Sequence, residues 1–229
     1  MKKLLCSILL LVLLTGCVVT KNISLATDDL RNMRSKTIAV VSRDNSNMAL
    51  KTPLHAAMLG GALVYFDMIR QGNNIVRDNN IEDPSILMAK KLRDDLAKYY
   101  NLKIISDLEP KKVSTYNVNK ISDLYRGVAD YVIDVRTLNW ELSYVAMDIS
   151  NYAIVYSSQL KLIDVANSKV IAENLCSFRP YNKYRKDTIL ADDAKILKQE
   201  LVGASDVCSK LLKDTSLGLS NSSIKGNEQ

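Results

Sequence analysis

Side chains able to do chemistry are few in this chain. Histidine occurs once, as His55, and one imidazole cannot build a multi-histidine metal site. A hydrolytic triad would need a nucleophile and an acid beside it, and no local motif supplies them. His55 reads instead as a residue at a helix end. Gly60-Gly61 is not followed by Lys-Ser or Lys-Thr, so it is not a phosphate-cradling loop. The pair reads as a place of close helix packing. Asp192 and Asp193 are adjacent, so as a catalytic pair they would point apart. They suit the first turn of a helix, where negative charge favours the macrodipole. Of four cysteines, Cys176 and Cys208 stand too far apart for the CxxC redox pattern. No motif for catalysis, a cofactor or a metal emerges, and the chain is expected not to be an enzyme.

The N-terminus carries an address. Lys2 and Lys3 precede an apolar run from Leu4 to Leu14, closed by Leu14-Thr15-Gly16-Cys17. That is a secretory signal with a small residue before the cut. A retained membrane span is the alternative, but 11 residues fall short of the roughly 20 that cross a bilayer. The ending resembles the lipobox of bacterial lipoproteins, with Leu at the third position before a Cys and Gly just before it. The resemblance implies removal of residues 1–16, acylation of Cys17, and a lasting attachment to a membrane. By the same resemblance, Val18 rather than Asp after the cysteine favours the periplasmic face of the outer membrane, with the inner membrane as the alternative.

Processing removes Lys2 and Lys3, so the formal charge falls from +6 to +4. A mildly basic, exported chain is not expected to bind nucleic acid. Cys6 leaves with the signal and Cys17 is the lipid acceptor, which leaves Cys176 and Cys208. In an oxidising compartment an isolated pair reads as a disulfide; two buried free thiols are the alternative.

The elements that position these groups follow from periodicity. Residues 17–36 are polar and read as a tether, 37–213 as one domain, and 214–229 as a disordered tail. Thr37 to Ser42 is β-branched and reads as a central strand. Arg43 to Thr52 reads as a loop, and Pro53 to Ile69 as a Gly/Ala-rich helix. Gln71 to Asn80 reads as a polar connector. Asp83-Pro84 signals a helix start, and Met88, Leu92, Leu96 and Tyr99 mark its buried stripe. Leu102 to Ser106 is expected to be a strand and Val118 to Val128 a short helix. Asp130 to Leu138, Trp140 to Met147, Tyr152 to Val165 and Lys169 to Phe178 alternate as strands of an antiparallel meander. The closing helix has its stripe at Leu190, Ala194, Leu197, Leu201, Ala204, Cys208 and Leu211, so the cysteine bridge would staple helix to sheet. The fold class is α/β (α+β): a two-layer sandwich, a mixed sheet with helices mainly on one face.

Two surfaces stand out. Arg179, Tyr181, Lys183, Tyr184, Arg185 and Lys186 form a basic, aromatic loop suited to lipid headgroups, an anionic glycan or an acidic partner. Leu59, Leu63 and Phe66 lie on an apolar segment that could be core, lipid-contacting or a subunit interface. Residues 79–84 (NNIEDP), the Gly/Ala-rich helix before them and the two Cys-bearing elements resemble a widespread group of proteobacterial lipoproteins of no agreed activity. The order of elements is similar to the small α/β domains of envelope-assembly lipoproteins, such as the peptidoglycan-synthase activators and the curli secretion lipoprotein, although no functional residue carries over. The resemblance implies a membrane-anchored, non-enzymatic accessory module with an envelope protein or glycan as partner. An oligomeric secretion or pore-type lipoprotein is the alternative, and a hydrolase a more remote one.

Overall fold

The computed structural model describes residues 21–58, 61–105 and 112–219. Its first part runs α1 (Thr27–Met33), β1 (Thr37–Val40), β2 (Ala49–Lys51), α2 (Pro53–Ala57), α3 (Ala62–Asp78), α4 (Pro84–Tyr100) and β3 (Lys103–Ile104). Then come α5 (Val118–Tyr125), β4 (Tyr131–Val145), β5 (Asp148–Asp164), β6 (Lys169–Phe178), β7 (Tyr184–Arg185), α6 (Lys186–Ile189) and α7 (Ala191–Ser216). This is a mixed α/β fold whose sheet has the order β3-β1-β4-β5-β6. β2 adds to the β4 edge beyond β1, and β7 to the β5 edge beyond β6.

The frame is the β4–β5 hairpin. Tyr131, Ile133 and Val135 fall on one buried face, as their alternation requires. Thr137 opposes Ser158 while Asn139 opposes Ser157, so Leu138 is a bulged extra residue. One extra residue reverses the phase of the alternation. Trp140 and Leu142 thereby return to the face of Ile133 and Val135, and the two stretches that read as separate strands are one.

α4 and α7 cover that face. Met88, Leu92 and Leu96 are buried as their spacing predicts, but Tyr100, not Tyr99, completes the stripe. Its hydroxyl donates to the Leu217 carbonyl at 3.0 Å, and Tyr99 faces solvent. On α7 the stripe ends on Leu212 rather than Leu211, a step of four from Cys208 instead of three. Cys208 and Cys176 are joined, with Cα atoms 5.4 Å apart, and staple α7 to β6. On the reverse face α5 closes a smaller cluster with Val41, Val132 and Ile163.

Asp83 is the N-cap of α4 and accepts from Ser85 N at 2.9 Å, with Pro84 at the first position. It is nearly fully buried and also accepts from Ser46 N at 2.9 Å and Thr137 Oγ1 at 2.5 Å. One carboxylate thus holds a helix start, a loop and the bulge together.

Several expectations change. Residues 43–52 contain β2, which runs parallel to β4 with Lys51 opposite Ser143; three residues are too few for a readable alternation. The helix expected over 53–69 is two helices, and its second part runs through the expected connector to Asp78. Ile75 and Val76 pack on the core there. Gly61 has φ 108 and open space around it, so it serves a turn rather than close packing; Gly60 lies outside the described residues. The close approach is at Gly72, where an added Cβ would lie 2.1 Å from Met48 O. Asp192 and Asp193 do not sit in a regular first turn: with Ala194 they have left-handed φ of 51, 57 and 54, and they kink the chain after α6.

The expected tether and tail are partly seated on the domain. Ile23 pairs with Glu173 of β6, Leu25 N donates to Ser216 O at 2.8 Å, and Met33 on α1 is buried. The closing helix continues to Ser216, and Leu217 and Leu219 are buried beyond it. These two leucines outweigh the polar composition around them. Cys17 and residues 220–229 lie outside the described residues.

Candidate functional site

Strand direction gathers the two surfaces marked in the sequence. β2 runs toward the β4–β5 turn, so α2 begins at that end, and α3 starts there before running back past Met48. β7 runs toward the same turn on the opposite edge, with Tyr184 against Tyr152 and Arg185 against Asn151. Three strand spacings, about 14 Å, separate the two edges. Surfaces more than a hundred residues apart in sequence therefore flank one hairpin tip.

That end is apolar and basic. Leu63 is 85% exposed and Phe66 65%, and Leu54, Met58 and Tyr65 are exposed beside them in sequence. The tip adds Met147, 98% exposed, and Ile149. Sequence reading missed both, because an exposed Met in a turn gives no periodic signal. Leu59 lies outside the described residues. Within the basic loop the roles divide. Tyr181 is fully exposed, whereas Tyr184 is half-buried and donates to Glu200 Oε1 at 2.6 Å, which raises its pKa. Arg185 is paired with Asp187 at 3.3 Å. Arg179 and Lys183 are exposed, and Lys186 opens α6. Tyr184 is thus a packing residue, while Tyr181 is free for contact.

His55 is drawn into a local array. Thr52 N donates to Nδ1 at 3.2 Å, which assigns the proton to Nε2, and Nε2 donates to Asp67 Oδ2 at 2.9 Å. The His55 bond, then Arg70, against some burial, and Gln71 lower the Asp67 pKa to about 2. Thr52, His55 and Asp67 have the order of a hydroxyl–imidazole–carboxylate relay. However, Nδ1 already accepts a backbone proton, and Thr52 Oγ1 accepts from His55 N at 3.3 Å. The array is a capping box that ties α2 to α3.

A cleft of about 510 Å³ lies between α3 and β4, where the chain between β1 and β2 leaves the β4 edge uncovered. Tyr65 and Met68 line one side, and Tyr116, Arg136 and Glu141 the other. Tyr116 is exposed, with the Arg43 guanidinium 4.8 Å and the Arg136 guanidinium 4.6 Å from its ring centre. Arg43 is consumed by the protein: it grips Asp134 through Nε and Nη2 at 2.6 Å each and donates Nη1 to the Val113 and Thr115 carbonyls. Sequence reading found none of these groups, because their partners are about 20 to 90 residues apart. Among the described residues no group of His, Cys, Asp or Glu could hold a metal ion, and no helix is long and apolar enough to cross a membrane.

No family model matches the chain, and no curated protein matches its sequence. In structure it is distantly similar to small lipoprotein domains. A PelC dodecamer from Paraburkholderia phytofirmans is 15% identical, with a TM-score of 0.33, over 82% of this chain and 96% of that one. The LpoB C-terminal domain from Salmonella enterica is 16% identical, with a TM-score of 0.29, over 65% and 85%. A lipoprotein from Neisseria meningitidis is 12% identical, with a TM-score of 0.26, over 73% and 96%.

Proposed function

We propose that the chain is a lipid-anchored, non-enzymatic accessory module of the cell envelope, which holds an envelope protein or glycan through the tip end of its hairpin. Cys17 is the lipid acceptor in this reading, and the periplasmic face of the outer membrane is its place. The observation that carries it is that Leu63, Phe66, Met147 and Tyr181, with Arg179 and Lys183, are exposed on segments that flank the tip half of one hairpin. Large apolar side chains exposed together, bordered by charge, are the surface signature of a docking site.

Reach argues for a partner over an end-on seat on the chain's own bilayer. The six steps from Cys17 to Ile23 span at most about 20 Å. Ile23 sits at Glu173, opposite Lys161, and from there β5 runs about 43 Å to Asp148 at 3.3 Å per residue. A domain standing upright on its tip would leave the anchor short by half that length.

Photocrosslinkers at Leu63 and at Tyr181, placed in cells, test the proposal. Both positions should capture the same partner. Capture at neither, or of different species, counts against a single working end. Native mass separates the alternatives: a product of two copies of this chain would favour the oligomeric secretion-type reading.

A further inference from the structure

Arg136 and Arg43 flank the same ring but differ in what they have left to give. Arg43 spends its donors on Asp134 and two carbonyls. Arg136 makes one side-chain hydrogen bond, from Nε to Gln159 Oε1 at 2.6 Å. Gln159 is itself buried and donates to Glu173 Oε1 at 2.5 Å. The near end of the Arg136 side chain is therefore held by a buried amide, and its planar group lies over Tyr116. Its two terminal nitrogens have no acceptor among the described residues. A fixed guanidinium with an open fork matches the two oxygens of a carboxylate.

The opposite charge in the cleft is also unclaimed. Asp44 is bound to Lys112 at 2.5 Å, but Glu141 has no cation within 4 Å among the described residues. The bulge at Leu138 puts Glu141 on the same face as Arg136, since Trp140 and Leu142 go to the core. With one residue bulged out, their backbones are about 13 Å apart along β4. One open fork and one open carboxylate, borne on one strand face of one cleft by backbone positions that far apart, fit a molecule with charges of both signs at its two ends.

We infer that this cleft binds a short peptide with free termini, its carboxylate on Arg136 and its ammonium near Glu141. At about 3.3–3.6 Å per extended residue, the spacing selects three or four residues. Tyr116 and Tyr65 provide the walls. The cleft shares Tyr65 with the exposed part of α3, but its two charged groups stand on β4, so the inference does not depend on the function proposed for the tip.

Trp140, the chain's single tryptophan, is turned to the core, so the heat of binding in isothermal titration calorimetry is the readout of occupancy. The full chain in detergent, titrated with tetra-alanine, should show a saturable heat. Amidating the peptide should weaken binding at least tenfold, and Arg136→Gln should do the same for the free acid while adding nothing for the amide. Acetylating the peptide should weaken it severalfold, an effect absent in Glu141→Gln. Circular dichroism melting checks that both variants fold. The inference is overturned by no saturable binding, by equal binding of the amide, by glucuronate saturating the cleft in the peptide's place, or by folded variants that bind as the parent does.

Discussion

The two halves of the β4–β5 hairpin use the same strands for different ends. In the half away from the tip the sheet is five strands wide, α4 and α7 cover one face, and α5 closes part of the other. The disulfide and the buried Arg43–Asp134 pair belong to this half. Toward the tip the flanking strands shrink to the three residues of β2 and the two of β7, and large apolar side chains face solvent. Packing is concentrated in one half of the hairpin and exposed apolar surface in the other. Apolar surface left bare where the sheet is thin is not needed for the core.

Substitutions that break the closed half should cost most. Arg43→Ala leaves Asp134 buried without its partner and should destabilise by about 3–5 kcal/mol, read in chemical denaturation. Cys208→Ser opens a link spanning 32 residues and should cost about 3–4 kcal/mol on the chain-entropy argument; an unchanged denaturation midpoint would speak against the staple. Gly72→Ala forces a methyl against Met48 O and should cost about 1–3 kcal/mol. At the tip, Leu63→Ser should change stability by less than about 0.5 kcal/mol while reducing partner capture. A large loss of stability there would mean the tip belongs to the core.

The smallest effect is local and concerns pH. The Asp67 pKa is lowered in the fold, so its pairing with His55 and Arg70 is intact above the ordinary carboxylate pKa near 4 and fades as pH falls through about 2. Carboxyl NMR of Asp67 should titrate near 2, and in His55→Ala the midpoint should move up toward 4.

Much of the closed half was legible because its signals are local and periodic. The α4 cap at Asp83-Pro84, the alternation of β4 and the α7 stripe through Cys208 each arise from neighbouring residues. Where a stripe drifted, as at Tyr99 and Leu211, packing chose the adjacent residue to complete it. β2 escaped because three residues carry no period, and the extension of α3 escaped because Gln71, Asn73 and Asn74 mask a helix that leans on Ile75 and Val76. The two flanking segments were marked in sequence, but Met147 and Ile149 between them, and the placement of the segments on opposite edges of one hairpin, were not. That placement follows from parallel pairing at one edge and antiparallel pairing at the other. The cleft was invisible for the same reason, since Arg43, Tyr116 and Arg136 come together only through the sheet.

Hydrogen exchange of the full chain in the cell envelopes that express it, compared with the purified chain, is the sharpest test of this division. Added protection in the envelope should be confined to residues 53–58, 61–69, 144–150 and 179–187, with the rest unchanged. Equal exchange in both preparations, or new protection confined to α4 and α7, would contradict it.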